Sequence, residues 1–371
     1  MKTVFARIFV LLFCVCLLQT GRGQKRFEKI DAWLGTNVEK MGGRAILVIY
    51  QDGQKIYSHA ENELSMRQKL VGRLLARRQG KEADTEDYTN STRQPIASCS
   101  KWLSAALVMS FVDDGKLKLS DTVGKFIPVL SANGKGKITI SQCLSHLTGI
   151  KSASLRESLD EMKEISSMDE AIASIARLPM EGEPGKVFHY SNTGLQIAGA
   201  VLEKISGKSF QILFAERIAK PLNMKNTDFG KGKVALPAGG ASSTPDDYIN
   251  FLSMILNKGM FNNKRILSEN SIAEMQMNRV TKEVRVAYSP TEAGDFGYGF
   301  GEWVMEAATL TNSGTVTSPG LFGSFPWVDN QNKYCGFLMT FYLKNDGRNE
   351  RYQELKKLVD EVVKRKKEEK R

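Results

Sequence analysis

Ile96-Ala97-Ser98-Cys99-Ser100-Lys101 sets a hydroxyl and an amine three residues apart where a helix begins. At that spacing both side chains share one helical face. Serine is a weak nucleophile until a base takes its proton. Lys101 can be that base, or it can supply the positive field that makes another base work. Chance places S-x-x-K in many chains of 371 residues, so the surrounding sequence decides whether it matters.

Downstream, Trp102 to Val112 continues the helix, and Asp113-Asp114-Gly115 ends it. A second piece follows at Pro184-Gly185-Lys186-Val187-Phe188-His189-Tyr190-Ser191-Asn192-Thr193-Gly194. Tyr190-x-Asn192 can hold a phenolic oxygen near a serine, and a lysine ammonium close by makes a phenolate accessible as a general base. Tyr88-x-Asn90 and Tyr248-x-Asn250 have the same form. Tyr190 is preferred because it follows a Pro-Gly loop and opens the helix Ser191 to Ile205, which suits a side chain pointing into a cleft.

Further out, the two ends of the chain carry the strand signal. Ala45 to Tyr50 is a β-rich run, Gln51-Asp52-Gly53-Gln54 a hairpin turn, and Lys55 to His59 the return strand. Strands return at Tyr298–Val304, Gly314–Thr317, Gly323–Val328 and Cys335–Tyr342. Amphipathic helices are predicted over Phe27–Met41, Met66–Arg78 and Arg348–Lys364. Between the ends the pattern is helical, including Asp246–Asn257 closed by Gly259. The expected architecture is α/β of the α+β kind: one antiparallel sheet built from both chain ends, flanked by helices, with an inserted all-helical lobe. The α/β part covers about 24–95 and 285–371, and the lobe about 96–284.

Composition agrees with a packed core: 42% apolar and 25% charged residues exclude disorder and collagen-like repeats. Residues 1–23 read as an export signal. Lys2 and Arg7 precede a run from Ile8 to Leu18 that is too short for a comfortable membrane span, and Gly21-Arg22-Gly23 offers a cleavage site. The expected location is secreted or periplasmic. Three cysteines remain after that point, Cys99, Cys143 and Cys335. They are too sparse for a disulfide framework and suit buried apolar thiols. Cys99 should point about 100° around the helix from Ser98.

The formal charge is +11, concentrated at Arg67, Lys69, Arg73, Arg77, Arg78 and Lys81 and in the tail from Lys364 to Arg371. Such segments suit contact with an anionic envelope or membrane surface. They lack interleaved aromatics, which argues against nucleic acid. The three histidines, His59, His146 and His189, sit in no G-x-S-x-G context, so a Ser-His-Asp triad is not expected. No His/Asp/Glu/Cys group has metal-ligand spacing, and no phosphate-cradling glycine loop is present. No cofactor or metal is expected.

The ordered pieces resemble the serine β-lactamase and penicillin-binding protein superfamily, in its class C and esterase branch. Ile96 to Lys101 resembles the nucleophile helix. Asp114 to Asp121 and Ile138 to Gly149, with Leu144-Ser145-His146-Leu147-Thr148-Gly149, resemble the helical lobe. Gly239 to Tyr248 resembles its later turn, and Phe296-Gly297-Tyr298-Gly299-Phe300-Gly301 the strand entering the last third. The likeness spans roughly 28–345.

The resemblance implies that Ser98 is acylated, Lys101 helps it lose its proton, and Tyr190 is the general base. Asn192 would orient substrate or the lysine. The backbone N–H groups of Ser98 and Leu321 would form an oxyanion hole. Lactamases and peptidases of this group carry Lys or His, a small residue and Gly on the strand edging the cleft. Here that stretch is Ser318-Pro319-Gly320, with the glycine kept and the cation absent. Ser318 and Gly320 are the expected substrate-binding positions. A serine brings no charge to a substrate carboxylate. The expected activity is therefore an acyl-enzyme hydrolase acting on small neutral esters or amides. The alternatives are a β-lactamase or D-Ala-D-Ala carboxypeptidase acting on lactams or peptides, and a non-catalytic penicillin-binding-like scaffold.

Overall fold

A computed structural model of the chain describes residues 26–78, 80, 82–152, 164–309, 314–344 and 346–368. The stretch 1–23 read as an export signal lies outside the described residues. Helices of eight residues or more are α1 (26–37), α2 (Met66–Arg78), α3 (Cys99–Asp113), α4 (Met168–Arg177), α5 (Thr193–Ser206), α6 (Pro245–Leu256), α7 (Glu269–Gln276) and α8 (Arg348–Glu368).

Seven strands form one antiparallel sheet. In spatial order they are β2 (Gln54–Asn62), β1 (Arg44–Gln51), β13 (Tyr334–Thr340), β12 (Phe325–Asp329), β11 (Thr315–Thr317), β10 (Trp303–Glu306) and β9 (Gly297–Tyr298). The two chain ends meet where β1 pairs with β13, Leu47 opposite Leu338. The hairpin from β1 to β2 turns through Asp52 at φ 52° and Gly53 at φ 81°. Positive φ at both central residues is what a tight hairpin with right-handed strand twist demands.

Period-two alternation in β1 serves two cores at once. Ile46 and Val48 face a large core shared with α3, α5 and α6. Ala45, Leu47 and Ile49 face the opposite core with α1 and α8, where Ile30, Trp33 and Leu34 meet Tyr352, Leu355 and Val359. A one-residue slip would exchange the two sets, so register is tightly fixed. Each fully buried Leu or Ile contributes about 1.5–3 kcal/mol.

The structure corrects two expectations. Tyr298–Val304 is not one strand: β9 and β10 are separate and antiparallel, Tyr298 pairing with Trp303. The reversal passes through Gly301 at φ 74°, where a Cβ would lie 2.4 Å from the Lys101 carbonyl oxygen. Only glycine lets this turn press against α3. The lobe expected to be all-helical over about 96–284 also contains short strands. Among the described residues these belong to three ribbons: β3 (Gln94–Pro95) with β5 (Ser242–Ser243), β4 (Val187–His189) with β8 (Arg285–Tyr288), and β6 (Met260–Phe261) with β7 (Lys264–Arg265). The first two position the site. Helix α6 lies directly on the sheet, its Tyr248 ring stacked 4.7 Å from Phe337.

Candidate active site

Ribbon β3–β5 anchors the approach to Ser98. The Ile96 N–H donates to the Ala241 carbonyl at 3.0 Å. Ala97 then turns the chain at φ 46°, a region L-residues seldom adopt, and Ser98 caps α3 without spending its hydroxyl on the helix. The helix behind it is buried from Cys99 to Phe111, so its first turn cannot drift. Two contacts fix that turn. The Ser100 hydroxyl accepts from the Ala241 N–H at 3.0 Å, and the Tyr248 hydroxyl donates to the Cys99 carbonyl at 2.9 Å. Cys99 itself is fully buried, with burial pushing its thiol up, so it packs and does not react. Cys143 and Cys335 are buried thiols as well.

Lys101, one turn on, is 1% exposed. Its Nζ lies 2.8 Å from the Ala238 carbonyl oxygen, 3.3 Å from Ser98 Oγ and 3.4 Å from Asn192 Oδ1. No carboxylate is among these partners. Burial therefore goes uncompensated and lowers the amine from its usual range to about 7. A neutral amine has two N–H donors and one lone pair. Ala238, Asn192 and Ser98 Oγ all lie within reach of that nitrogen, so a neutral amine can give its two donors to the first two and turn its lone pair to Ser98 when the hydroxyl gives up its proton.

Tyr190 arrives from β4, which is held by β8 through a Tyr190 N–H to Tyr288 carbonyl bond at 3.0 Å. Asn192, two residues on, caps α5. The Lys101 nitrogen sits 4.8 Å over the Tyr190 ring. Trp303 packs 5.0 Å from that ring and His146 4.7 Å. Burial raises the phenol above its ordinary range; hydrogen bonds from the Ser98 side chain and Trp303 oppose the rise only in part. Burial above all holds the His146 imidazole well below its ordinary range, and its Nε2 lies 3.0 Å from the Tyr298 hydroxyl. It braces the tyrosines and does not face Ser98.

The opposite wall is the exit of β11. Ser318 is 2% exposed, and its hydroxyl donates to the Gly301 carbonyl at 3.0 Å and approaches the Ser98 carbonyl at 3.2 Å. Ser318, expected to contact substrate, thus has its only proton directed inward. Gly320, the other position expected on this strand edge, is tightly packed. A Cβ there would lie 2.4 Å from the Ile96 carbonyl oxygen and 3.2 Å from Cys99 Sγ. Its small size lets the two walls touch. Beyond it the loop closes with Gly323 N–H to Gly320 carbonyl at 2.9 Å, leaving the Leu321 side chain 37% exposed. Among the described residues, neither the Leu321 N–H nor the Ser98 N–H meets an acceptor.

Sequence reasoning missed several contributors. Ala238 supplies the shortest contact to Lys101, Trp303 packs on Tyr190, and Tyr248 steadies the first turn of α3. Arg348 of α8 is 3% exposed and donates to the Leu321 carbonyl at 2.9 Å, setting the rim loop. Gly239-Gly240 and Phe296–Gly301 stood out as motif text, but only the fold shows which neighbouring atoms they deliver. Among the described residues, no group of three or more His, Cys, Asp or Glu could hold a metal ion.

The beta-lactamase family model matches residues 36–361. Three solved structures are similar over 91% of this chain. A candidate beta-lactamase from Bacteroides dorei DSM 17855 is 26% identical, with 99% of that chain covered and a TM-score of 0.75. EstCE1, a hydrolase with promiscuous acyltransferase activity, is 19% identical, with 99% covered and a TM-score of 0.71. A family VIII carboxylesterase is 18% identical, with 97% covered and a TM-score of 0.69. The last two show a shared fold. The order of sheet, helices and S-x-x-K turn agrees with the family match over most of the length, and the chain belongs to the beta-lactamase family.

Proposed function

We propose that the protein is an exported serine hydrolase that cleaves small neutral esters or amides through an acyl-enzyme on Ser98. The observation that carries this reading is the buried Lys101 amine, lowered to about 7 and 3.3 Å from Ser98 Oγ. A base poised near neutral pH beside a serine is the activated-nucleophile arrangement.

In the first step Ser98 Oγ bonds to the substrate carbonyl carbon, and its proton passes to the neutral Lys101 amine. The carbonyl oxygen becomes an oxyanion between the Ser98 and Leu321 N–H groups, each such donor being worth roughly 2.7–4 kcal/mol. Collapse breaks the bond to the leaving group. That group takes the proton from the Lys101 ammonium through the Tyr190 hydroxyl, which gives one proton and receives another. Water then attacks the acyl carbon along the same path in reverse, and Ser98 leaves with its proton restored. Family resemblance gives the base role to Tyr190. The electrostatics here favour Lys101 as acceptor and Tyr190 as relay, because burial raises the phenol and lowers the amine.

Esters are favoured over lactams and peptides because Ser318 stands where a cation would meet a carboxylate, and its hydroxyl is turned inward. The carboxylesterase and EstCE1 neighbours support that reading at the level of shared fold. Export rests on the apolar run from Ile8 to Leu18 behind Lys2 and Arg7. The test compares p-nitrophenyl butyrate with nitrocefin on one preparation. Ester turnover should dominate, with kcat/KM rising as pH passes about 7, where Lys101 becomes neutral. Rapid nitrocefin turnover without ester cleavage would reverse the substrate assignment. A rate falling through that pH would return the base role to a Tyr190 phenolate paired with charged Lys101.

A further inference from the structure

Helix α2 exposes an apolar stripe among its cations. Over Met66–Arg78 it carries Arg67, Lys69, Arg73, Arg77 and Arg78 and no acidic residue. Met66, Leu70 and Leu74 recur every four residues on one face, with Val71 beside them. They are 82%, 58%, 55% and, for Val71, 46% exposed. Gln68, Gly72 and Ala76 lie two residues further on, about 200° around, and are less exposed than these. The side that carries Gln68, Gly72 and Ala76 is thus turned toward the protein, and the stripe of Met66, Leu70, Val71 and Leu74 faces solvent together with Arg67, Arg73, Arg77 and Arg78.

The base of the helix is tied to a segment that has exposed apolar side chains of its own. The start of α2 adjoins Gly43, whose Cβ position is 3.0 Å from Leu64 and 3.3 Å from Gln68. The neighbouring Gly42 position is 2.6 Å from the Phe341 carbonyl oxygen. Phe341 and Leu343 are 45% and 66% exposed, and Phe341 stacks at 4.7 Å on Phe322, next to Leu321. A line of contacts therefore runs from the first turn of α2 to the rim of the cleft.

We infer that α2 is a docking helix that lies in the plane of an anionic lipid bilayer, with its leucines in the acyl boundary and its arginines at the headgroups. An uncovered apolar stripe bordered only by cations is the pattern that binds such surfaces. Two copies of this face would bring ten cations together with no acid to pair them, which disfavours self-association. At 13 residues α2 is too short to span, and among the described residues no helix is long and apolar enough to cross a membrane.

The test uses the full chain and vesicles of phosphatidylcholine with or without phosphatidylglycerol, and reads the ratio of anionic to neutral partitioning by co-sedimentation. The wild type should favour anionic vesicles by about tenfold or more at low salt and lose that preference in high salt. Leu70→Gln with Leu74→Gln, and separately Arg73→Glu with Arg77→Glu, should bring the ratio near one. Both variants should keep the wild-type rate on a soluble ester, which verifies folding. An equal ratio for wild type and variants would overturn the inference. So would a concentration-dependent dimer abolished by the leucine substitutions, since it would make the occupant a second copy.

Discussion

Ser98 and Ser318 stand 220 positions apart in sequence, and the Ser318 hydroxyl comes to 3.2 Å from the Ser98 carbonyl. The first is half-buried, its hydroxyl uncommitted to the helix and facing a downshifted amine. The second is sealed inside, its hydroxyl donated to Gly301. The same side chain is thus a nucleophile on one wall and a strut on the other. The difference lies wholly in the neighbours: on α3 Ser98 meets a base without a counter-carboxylate, whereas at the exit of β11 Ser318 meets the carbonyls of Gly301 and Ser98.

The largest test of this contrast is Ser98→Ala, expected to lower ester turnover by about 10⁴-fold or more while leaving the fold intact. If residual activity stays within tenfold, the nucleophile is elsewhere.

Lys101→Met should cost about 10²–10⁴-fold in kcat/KM. It should also raise the melting temperature at neutral pH. The folded-state pKa of Lys101 is about 7, below its unfolded value, so the unfolded chain binds more protons between about 7 and about 10.4. Stability therefore rises with pH across that window and is penalised in full below it. Thermal melts at pH 7 and near pH 10 should show the wild type gaining on the methionine variant. A variant that melts lower at both pH values would show that Lys101 is a structural residue.

Gly320→Ala comes next. Its Cβ would meet the Ile96 carbonyl at 2.4 Å and force the two walls apart. Overpacking of this kind costs about 1–3 kcal/mol, and activity should fall with it through displacement of Ser98 and Leu321. Loss of stability without loss of activity would separate the walls functionally.

Ser318→Ala is the smallest. It removes one buried hydrogen bond, about 1 kcal/mol, and should change kcat/KM by less than about tenfold. A KM rising steeply with kcat unchanged would instead make Ser318 a substrate contact.

Much of this was legible in the sequence. β-rich apolar runs gave β1 and β13, Asp52-Gly53 gave the hairpin from β1 to β2, and S-x-x-K with Tyr190-x-Asn192 marked the residues that now converge. What was not legible depends on contacts between distant segments. The run Tyr298–Val304 reads as one strand because nothing local announces that Gly301 must fold against Lys101. Ala238 acts through its carbonyl, which no side-chain pattern encodes. The direction of the Ser318 hydroxyl depends on Gly301. The exposure of the Met66, Leu70 and Leu74 stripe of α2 was hidden for the same reason: its apolar spacing is plain, and the side that meets the protein is not.

The most direct measurement is labelling by a fluorophosphonate ester, read by intact mass and peptide mapping across pH. A single adduct should form on Ser98, faster as pH rises through about 7, and vanish in Ser98→Ala. No adduct on well-folded protein, or an adduct that persists in Ser98→Ala, would contradict the account.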